Sequence, residues 1–312
     1  METGTGVSPQ HRPVLYQEII QYLAPFSPGR YLDCTAGAGG HSKGILEASA
    51  PDGQLVALDI DPDAVALARA TLDPFGTRAI VKYASYTESA QVLAELGWQG
   101  VDGIVLDLGV SSMQLDRADR GFSFQQNGPL DMRFDPTHGP SAADLVNNLD
   151  EKALADLIWR YGEERYSRKI ARAIVQARPL QTTQELAALV RSAIGRTSER
   201  QDPATRTFQA LRIAVNDELK NIEEALPQLI ELLKPNARIA VISFHSLEDR
   251  IVKQIFQRES KDCICPPEQP ICTCGHHASI KIITPHPVVP QEEEKAVNPR
   301  SRSAKLRVAQ KL

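Results

Sequence analysis

The stretch Tyr31-Leu-Asp-Cys-Thr-Ala-Gly-Ala-Gly-Gly-His-Ser42 constrains this chain more than any other. A short apolar run ends in Asp33, glycines follow at Gly37, Gly39 and Gly40, and beyond Ser42 the pattern turns helical through Ile45 and Leu46. That reads as strand, tight turn, helix. Glycine in such a turn permits positive φ and lets backbone N–H groups approach a bound ligand. A second strand, Gln54 to Leu58, closes on Asp59, about twenty residues past the glycines. At that spacing a carboxylate can accept hydrogen bonds from ribose hydroxyls.

Two ligands suit such a loop, NAD and S-adenosylmethionine. The sixth position of a dinucleotide G-x-G-x-x-G is Ser42 here, so that fingerprint fails. Asp33, just before the turn, would repel a pyrophosphate but suits the cationic amino-acid end of S-adenosylmethionine. A plain glycine turn without a ligand is the remaining alternative.

The chain has 312 residues, enough for one large domain or two smaller ones, and 42% of them are hydrophobic, enough to bury a core. No run of about eighteen apolar residues is present, so no membrane span is expected. Met1 to Gln10 is polar, without a signal-peptide pattern, which favours a cytoplasmic protein. A net charge of −4 argues against a broadly basic nucleic-acid binder, although the charge is unevenly placed. Five cysteines, an odd number, make a disulfide framework unexpected.

In chain order, His11 to Leu23 has the spacing of a short amphipathic helix, with His11 either near a ligand or on the surface. A helix starts near Pro62, a position that suits the first turn. A third strand spans Ala79 to Tyr83. Tyr86 follows it, either stacking on an adenine or packed in the core. A fourth, nearly continuous apolar strand, Val101 to Leu106, suits a parallel strand covered on both faces. It ends in Asp107-Leu-Gly-Val-Ser-Ser112. Asp33, Asp59 and Asp107 thus all fall at carboxyl ends of strands, where open α/β sheets bind ligands.

The strand–helix rhythm then breaks. Met113 to Met132 is loop-like, and Ser141 to about Ile194 is helical with no strand, a helical insertion after the fourth strand. Between Asp156 and Val215 there are eleven Arg or Lys against six acids. Such an excess attracts phosphates, unless it is a solvated, salt-bridged helical surface. Phe122 and Phe124 are candidates to stack on a base, or for the core.

Phe208 to Leu226 then reads as one helix, Pro235-Asn236 as a turn, and Arg238 to Phe244 as a strand ending at His245 and Ser246, which are pocket candidates. Glu248 and Asp249 suit the start of the next helix. Cys263, Cys265, Cys272 and Cys274 follow, with His276 and His277 nearby. Four thiolates can hold zinc, but the usual spacing is Cys-x-x-Cys. Free reduced thiols with no metal are the expectation. Ser279 to Thr284 reads as a strand. From Lys295 onward six Lys or Arg occur with no acid. Leu306 to Val308 is expected as an edge strand, with Arg300 and Arg302 available to phosphate.

A family resemblance rests on Asp33-Cys-Thr-Ala-Gly-Ala-Gly-Gly-His-Ser42, Asp107-Leu-Gly-Val-Ser-Ser112, Arg120-Gly-Phe-Ser-Phe124, Leu130-Asp-Met-Arg133, Tyr161-Gly-Glu-Glu-Arg165, Arg206-Thr-Phe-Gln-Ala-Leu-Arg-Ile213, Ser243-Phe-His-Ser-Leu-Glu-Asp-Arg250 and Asn298-Pro-Arg-Ser-Arg-Ser303. From about His11 to Val308 the chain closely resembles the bacterial small-subunit ribosomal RNA cytosine-N4 methyltransferases, the RsmH or MraW family. The resemblance implies an α/β class I S-adenosylmethionine-dependent methyltransferase fold, Rossmann-like with a mostly parallel sheet. It implies a discontinuous methyltransferase domain, 1–112 with 216–312, and an inserted helical substrate-recognition domain, 113–215. It also implies methyl transfer to the N4 amine of a cytidine in the decoding region, on small-subunit ribosomal RNA or the assembled small subunit. The implied cofactor contacts are Gly39, Gly40, His41, Asp59, Tyr86, Asp107 and Gln114. Tyr86 departs from the phenylalanine common in the family, and its hydroxyl needs a partner. The cysteine-rich loop occurs in only part of the family.

An exocyclic cytosine amine is a poor nucleophile because its lone pair is delocalised into the ring. The Asp/Asn-Pro-Pro-aromatic motif common among amino-methylating enzymes is absent. Asp107 with Ser111 and Ser112 occupies the corresponding strand end, and His245 joins them as a catalytic candidate. Positioning is expected to supply most of the catalysis, on a cytidine taken out of its stack. The competing classes are a nucleotide-dependent oxidoreductase and a non-enzymatic RNA-binding protein. Oligomeric state is not legible.

Overall fold

The computed structural model of the chain describes residues 13–195, 201–266, 268–269 and 271–312. Among them seven strands form one sheet: β1 (Arg30–Asp33), β2 (Gln54–Asp59), β3 (Ala79–Tyr83), β4 (Val101–Asp107), β5 (Leu233–Ser243), β6 (Ile280–Ile282) and β7 (Lys305–Lys311). Their order is β3-β2-β1-β4-β5-β7-β6. Strands β1 to β5 pair in parallel, and β7 runs antiparallel to both of its neighbours. This is the expected Rossmann-like, mostly parallel sheet of the class I methyltransferase fold.

The continuous apolar strands explain the parallel arrangement. Leu55 to Leu58 and Ile104 to Leu106 are fully buried, as strands covered on both faces must be. The direction of winding reverses between β1 and β4, which opens a crevice beyond their carboxyl ends. Asp33 registers with Val105, so β4 reaches two residues further, to Asp107.

The helices of this part are α1 (Tyr16–Leu23), α2 (Gly40–Ala48), α3 (Pro62–Leu72) and α4 (Ser89–Glu95). The middle of the chain supplies α5 (Ser112–Asp116), α6 (Ala142–Asn148), α7 (Glu151–Gly162), α8 (Ser167–Ala177), α9 (Thr183–Ile194), α10 (Ala204–Val215) and α11 (Glu218–Glu231). Then α12 (Ser246–Glu259) follows β5, and α13 (Glu292–Val297) lies before β7. Ser141, Asp150 and Thr182 each accept a hydrogen bond from a backbone N–H of the following helix, so α6, α7 and α9 start where their side chains satisfy an orphan donor.

Two compact units result: the chain up to Leu108 together with Ala225–Leu312, and Gly109–Glu224. The sequence sets those limits at 112 and 215. Each unit has its own core. Leu15, Ile19, Tyr31, Ile45 and Leu55 are fully buried in the first, and Leu154, Ile158, Ile170, Ile174 and Leu211 in the second. Each such aliphatic side chain contributes about 1.5–3 kcal/mol of transfer free energy.

Several expectations need correcting. The single helix expected over Phe208–Leu226 is two, α10 and α11, broken where Asp217 takes φ 49° and the Asn216 side chain bonds back to the Arg212 carbonyl. The turn at Pro235-Asn236 is an irregularity inside the longer β5: Val101 pairs with Leu233, but Gly103 already pairs with Arg238. Strand β7 is not an edge strand; it lies between β5 and β6, and β6 is the edge. The strand expected over Ser279–Thr284 is only Ile280–Ile282. His11 lies outside the described residues. No helix among the described residues is long and apolar enough to cross a membrane.

Candidate active site

The glycine turn begins as soon as β1 ends. Gly39 takes φ 84° and caps α2, a left-handed conformation that costs glycine least. A Cβ on Gly40 would lie 2.3 Å from Pro13 Cγ, so only glycine lets the first turn of α2 pack there. Gly37 also has positive φ, 51°, and a Cβ on it would meet nothing within 4 Å. Its N–H donates to Asp59 Oδ2 at 2.8 Å.

Asp33 holds this turn closed. Its carboxylate is 1% exposed and accepts from Ser42 Oγ at 2.6 Å and from the Thr35 N–H at 3.1 Å. Burial raises its pKa above the ordinary value, against the Ser42 hydroxyl. The structure thus gives Asp33 a structural duty, with both oxygens engaged inside the turn. Asp59 accepts from the Gly37 and Asp61 N–H groups, and burial pushes its carboxyl up to about 6.

Asp107 differs from both. Its backbone N–H donates to Thr35 Oγ1 at 2.6 Å, which ties the end of β4 to the turn. Its side chain faces His41 and makes no hydrogen bond among the described residues. Oδ2 stands 3.6 Å from Nε2 of His41, and Oδ1 is buried without a hydrogen-bond partner. His41, 6% exposed in the first turn of α2, stacks on Tyr16 at 6.4 Å between ring centroids, and neither of its ring nitrogens makes a hydrogen bond. Buried polar atoms are normally satisfied. Here the unused capacity gathers at the crevice, beside three carboxylates. Such a donor set fits a cationic ligand with hydroxyl and amine donors, and repels phosphate.

The remaining predicted residues are placed as follows. Tyr86 opens a short 3-10 turn, Tyr86–Glu88, just past β3 and is half-buried. His245 caps α12: its Nδ1 accepts from the Glu248 N–H at 3.4 Å, and the fully buried Glu248 accepts from the Phe244 N–H at 2.8 Å. Ser246 is exposed in the first turn of α12. Asp249 pairs with Arg307 and Lys305. Ser111, Ser112 and Gln114 belong to the other unit. There Ser111 caps α5 and accepts from the Gln114 N–H at 3.2 Å, while Gln114 Oε1 accepts from the Ser111 N–H at 2.9 Å. Those capping bonds occupy the Ser111 hydroxyl oxygen and one end of the Gln114 amide. Phe122 is buried and stacks on Phe134, and Phe124 lies edge-on to Phe208, so both serve the core of that unit.

The basic excess of Asp156–Val215 was legible in the sequence, but the exposed aromatic residues within it were not. Trp159 is 59% exposed, and Tyr166 is 37% exposed with the Arg165 guanidinium 4.8 Å over its ring. Arg160, Arg168 and Lys169 are exposed nearby in sequence on α7 and α8. The available signal was aromatic residues interleaved with basic ones, a pattern of nucleic-acid surfaces.

The model of the MraW methylase family matches residues 8–312. The chain is 53% identical over 302 residues to Ribosomal RNA small subunit methyltransferase H of Dehalococcoides mccartyi, covering 97% of this chain and 86% of that protein. It is 52% identical over 309 residues to the protein of the same name from Thermomicrobium roseum, covering 98% and 95%. A Geobacter species has another, 53% identical over 307 residues, with 97% and 98% covered. Agreement of this extent, from one end of the described fold to the other, means that the chain belongs to the MraW methylase family.

Proposed function

We propose that this protein transfers the methyl group of S-adenosylmethionine to the exocyclic N4 amine of one cytidine in the decoding region of small-subunit ribosomal RNA. The observation that carries the reading is the crevice between β1 and β4, where Asp59 and Asp107 frame a glycine turn and buried polar atoms lack partners. The printed name of the relatives supplies the class of substrate. We place the reaction in the cytoplasm, on ribosomal RNA or the assembled small subunit.

S-adenosylmethionine, when bound, supplies an electrophilic methyl on a sulfonium. The residues proposed to hold it are Gly39, Gly40 and His41 at the start of α2, Asp59 for the ribose hydroxyls, Tyr86 for the adenine face, Asp107 and Gln114. Asp107 has a second role. Its unpaired Oδ1 accepts a hydrogen bond from the target amine, which keeps the lone pair on nitrogen and offsets the positive charge that develops there. Ser111, Ser112 and His245 are proposed as positioning partners, through the turn after β4 and the cap of α12. The unit Gly109–Glu224 is proposed to recognise RNA, with Trp159 and Tyr166 stacking on bases and Arg160, Arg165, Arg168 and Lys169 meeting phosphates.

Incubating the protein with a radiolabelled methyl donor and either purified small subunits or free ribosomal RNA, then mapping the labelled base, tests the reading. Label on an N4-methylated cytidine is expected; transfer to another base or to protein would refute it. Calorimetry with S-adenosylmethionine and with NAD excludes the oxidoreductase and the non-enzymatic classes if only the former binds.

The state of Asp59 predicts a pH dependence. Ribose hydroxyls donate to a carboxylate, so donor binding favours the charged form. The free protein holds this group at about 6 instead of 3.8. Protonation is therefore favoured by folding, and stability from this source is lost as pH rises through about 6. Donor affinity runs the other way. It is expected to be flat above about pH 7 and to fall by up to about tenfold per unit below 6. Titration calorimetry from pH 5 to 8 checks this, with Asp59→Asn expected to flatten the profile. A constant affinity across that range in the native chain would be incompatible with the role of Asp59.

A further inference from the structure

The segment between α12 and β6 has no helix or strand among its described residues. The large apolar side chains described in it do not anchor it: Ile264 is 40% exposed and Ile271 is 74% exposed. A long irregular loop without a core of its own needs some other staple. Its base is tied down. His276 Nδ1 lies 2.8 Å from the Lys261 carbonyl, the Ser279 N–H donates to the Glu259 carbonyl at 2.8 Å, and the Ala278 N–H donates to Asp262. None of these bonds reaches the tip.

At the tip, Cys263, Cys265, Cys272 and Cys274 converge, with their sulfur atoms all within 4.8 Å of one another. Cys263 and Cys272 are 3.4 Å apart, Cys272 and Cys274 3.5 Å, and Cys274 and Cys263 3.8 Å. A tetrahedron with zinc–sulfur bonds of about 2.3 Å has edges of about 3.8 Å. A disulfide would need about 2.05 Å, and all four cysteines are free. Backbone N–H groups also point at these sulfurs: Ile264 to Cys274 at 3.5 Å, Cys265 to Cys263 at 3.4 Å and Thr273 to Cys265 at 3.5 Å. Such donors offset the charge of metal-bound thiolates. His276 spends Nδ1 on a carbonyl, and its Nε2 faces Glu259 at 3.6 Å, so the four sulfurs form the complete set.

We propose that Cys263, Cys265, Cys272 and Cys274 bind one structural zinc ion that folds the loop between α12 and β6. The spacing Cys-x-Cys differs from the usual Cys-x-x-Cys, but two such pairs brought face to face supply the same four corners. Each thiol releases its proton to solvent on binding, and no electron is transferred. With four protein ligands the ion has no open position, so its role is structural and not catalytic.

The test uses the full chain purified under reducing conditions and measures metal by mass spectrometry of the elements. One zinc per chain is expected. Replacing it with cobalt should give thiolate-to-metal charge-transfer and visible d–d absorption typical of a tetrahedral sulfur site. Cys263→Ser with Cys272→Ser should lose the metal and expose the loop to limited proteolysis, while S-adenosylmethionine affinity, measured alongside, stays within about twofold. Metal-free protein with four thiols titratable in the native state would overturn the proposal. So would two disulfides by mass, iron in place of zinc, or full metal content in the double variant.

Discussion

Replacing Asp107 with alanine is expected to lower the rate of methyl transfer by about 10²–10⁴-fold while leaving the melting temperature unchanged or higher. Few residues at a strand end permit so clean a separation. The fold uses the backbone of Asp107, through its bond to Thr35 Oγ1, but makes no hydrogen bond to its buried Oδ1. A buried carboxylate oxygen without a partner costs stability. Removing it relieves that cost and removes the acceptor proposed for the target amine. Asp33 is the control. Its carboxylate binds Ser42 and the Thr35 N–H inside the turn, so Asp33→Ala should lose both stability and donor binding. Single-turnover rates with small subunits, beside calorimetric melting, separate the cases. Near-normal turnover in Asp107→Ala would remove it from the chemistry.

Gly121→Val should unfold the Gly109–Glu224 unit and abolish transfer to RNA, yet weaken S-adenosylmethionine binding only by what Gln114 supplies, since the other proposed donor contacts lie outside that unit. Gly121 has φ 71°, a region that costs a β-branched residue about 1–2 kcal/mol or more. A Cβ there would lie 2.2 Å from the Pro129 carbonyl oxygen and 2.8 Å from the Asp131 nitrogen, both backbone atoms that cannot rotate away. Moving that segment pulls Leu130 and Met132 out of the core and breaks the bond from the Ala142 N–H to the Asp131 carbonyl. Overpacking of this kind typically adds about 1–3 kcal/mol. Hydrogen exchange over the unit, together with donor calorimetry, reads both halves of the prediction. A variant that methylates RNA normally and melts at the native temperature would contradict it.

The sequence alone determined the sheet strands that carry the site. Apolar runs ending in Asp33, Asp59 and Asp107 have one period and one plausible burial, so their place at carboxyl ends followed from local pattern. The glycines were equally legible, since a strand that turns at once into a helix needs positive φ at Gly39. Helical spacing also marked the insertion, because its amphipathic stripes repeat without a strand. Other features depend on atoms far apart in sequence. Strand β7 reads as an edge strand until the pairing with both β5 and β6 is known. Ser111 and Gln114 have the polarity of site residues, and only their reciprocal bonds reveal a helix cap. Phe122 and Phe124 are aromatic in either role, and their neighbours Phe134 and Phe208 decided for the core. Asp33, Asp59 and Asp107 look alike as letters; tertiary structure separated them, because partners are counted in space and only Asp107 was left with a buried oxygen unspent.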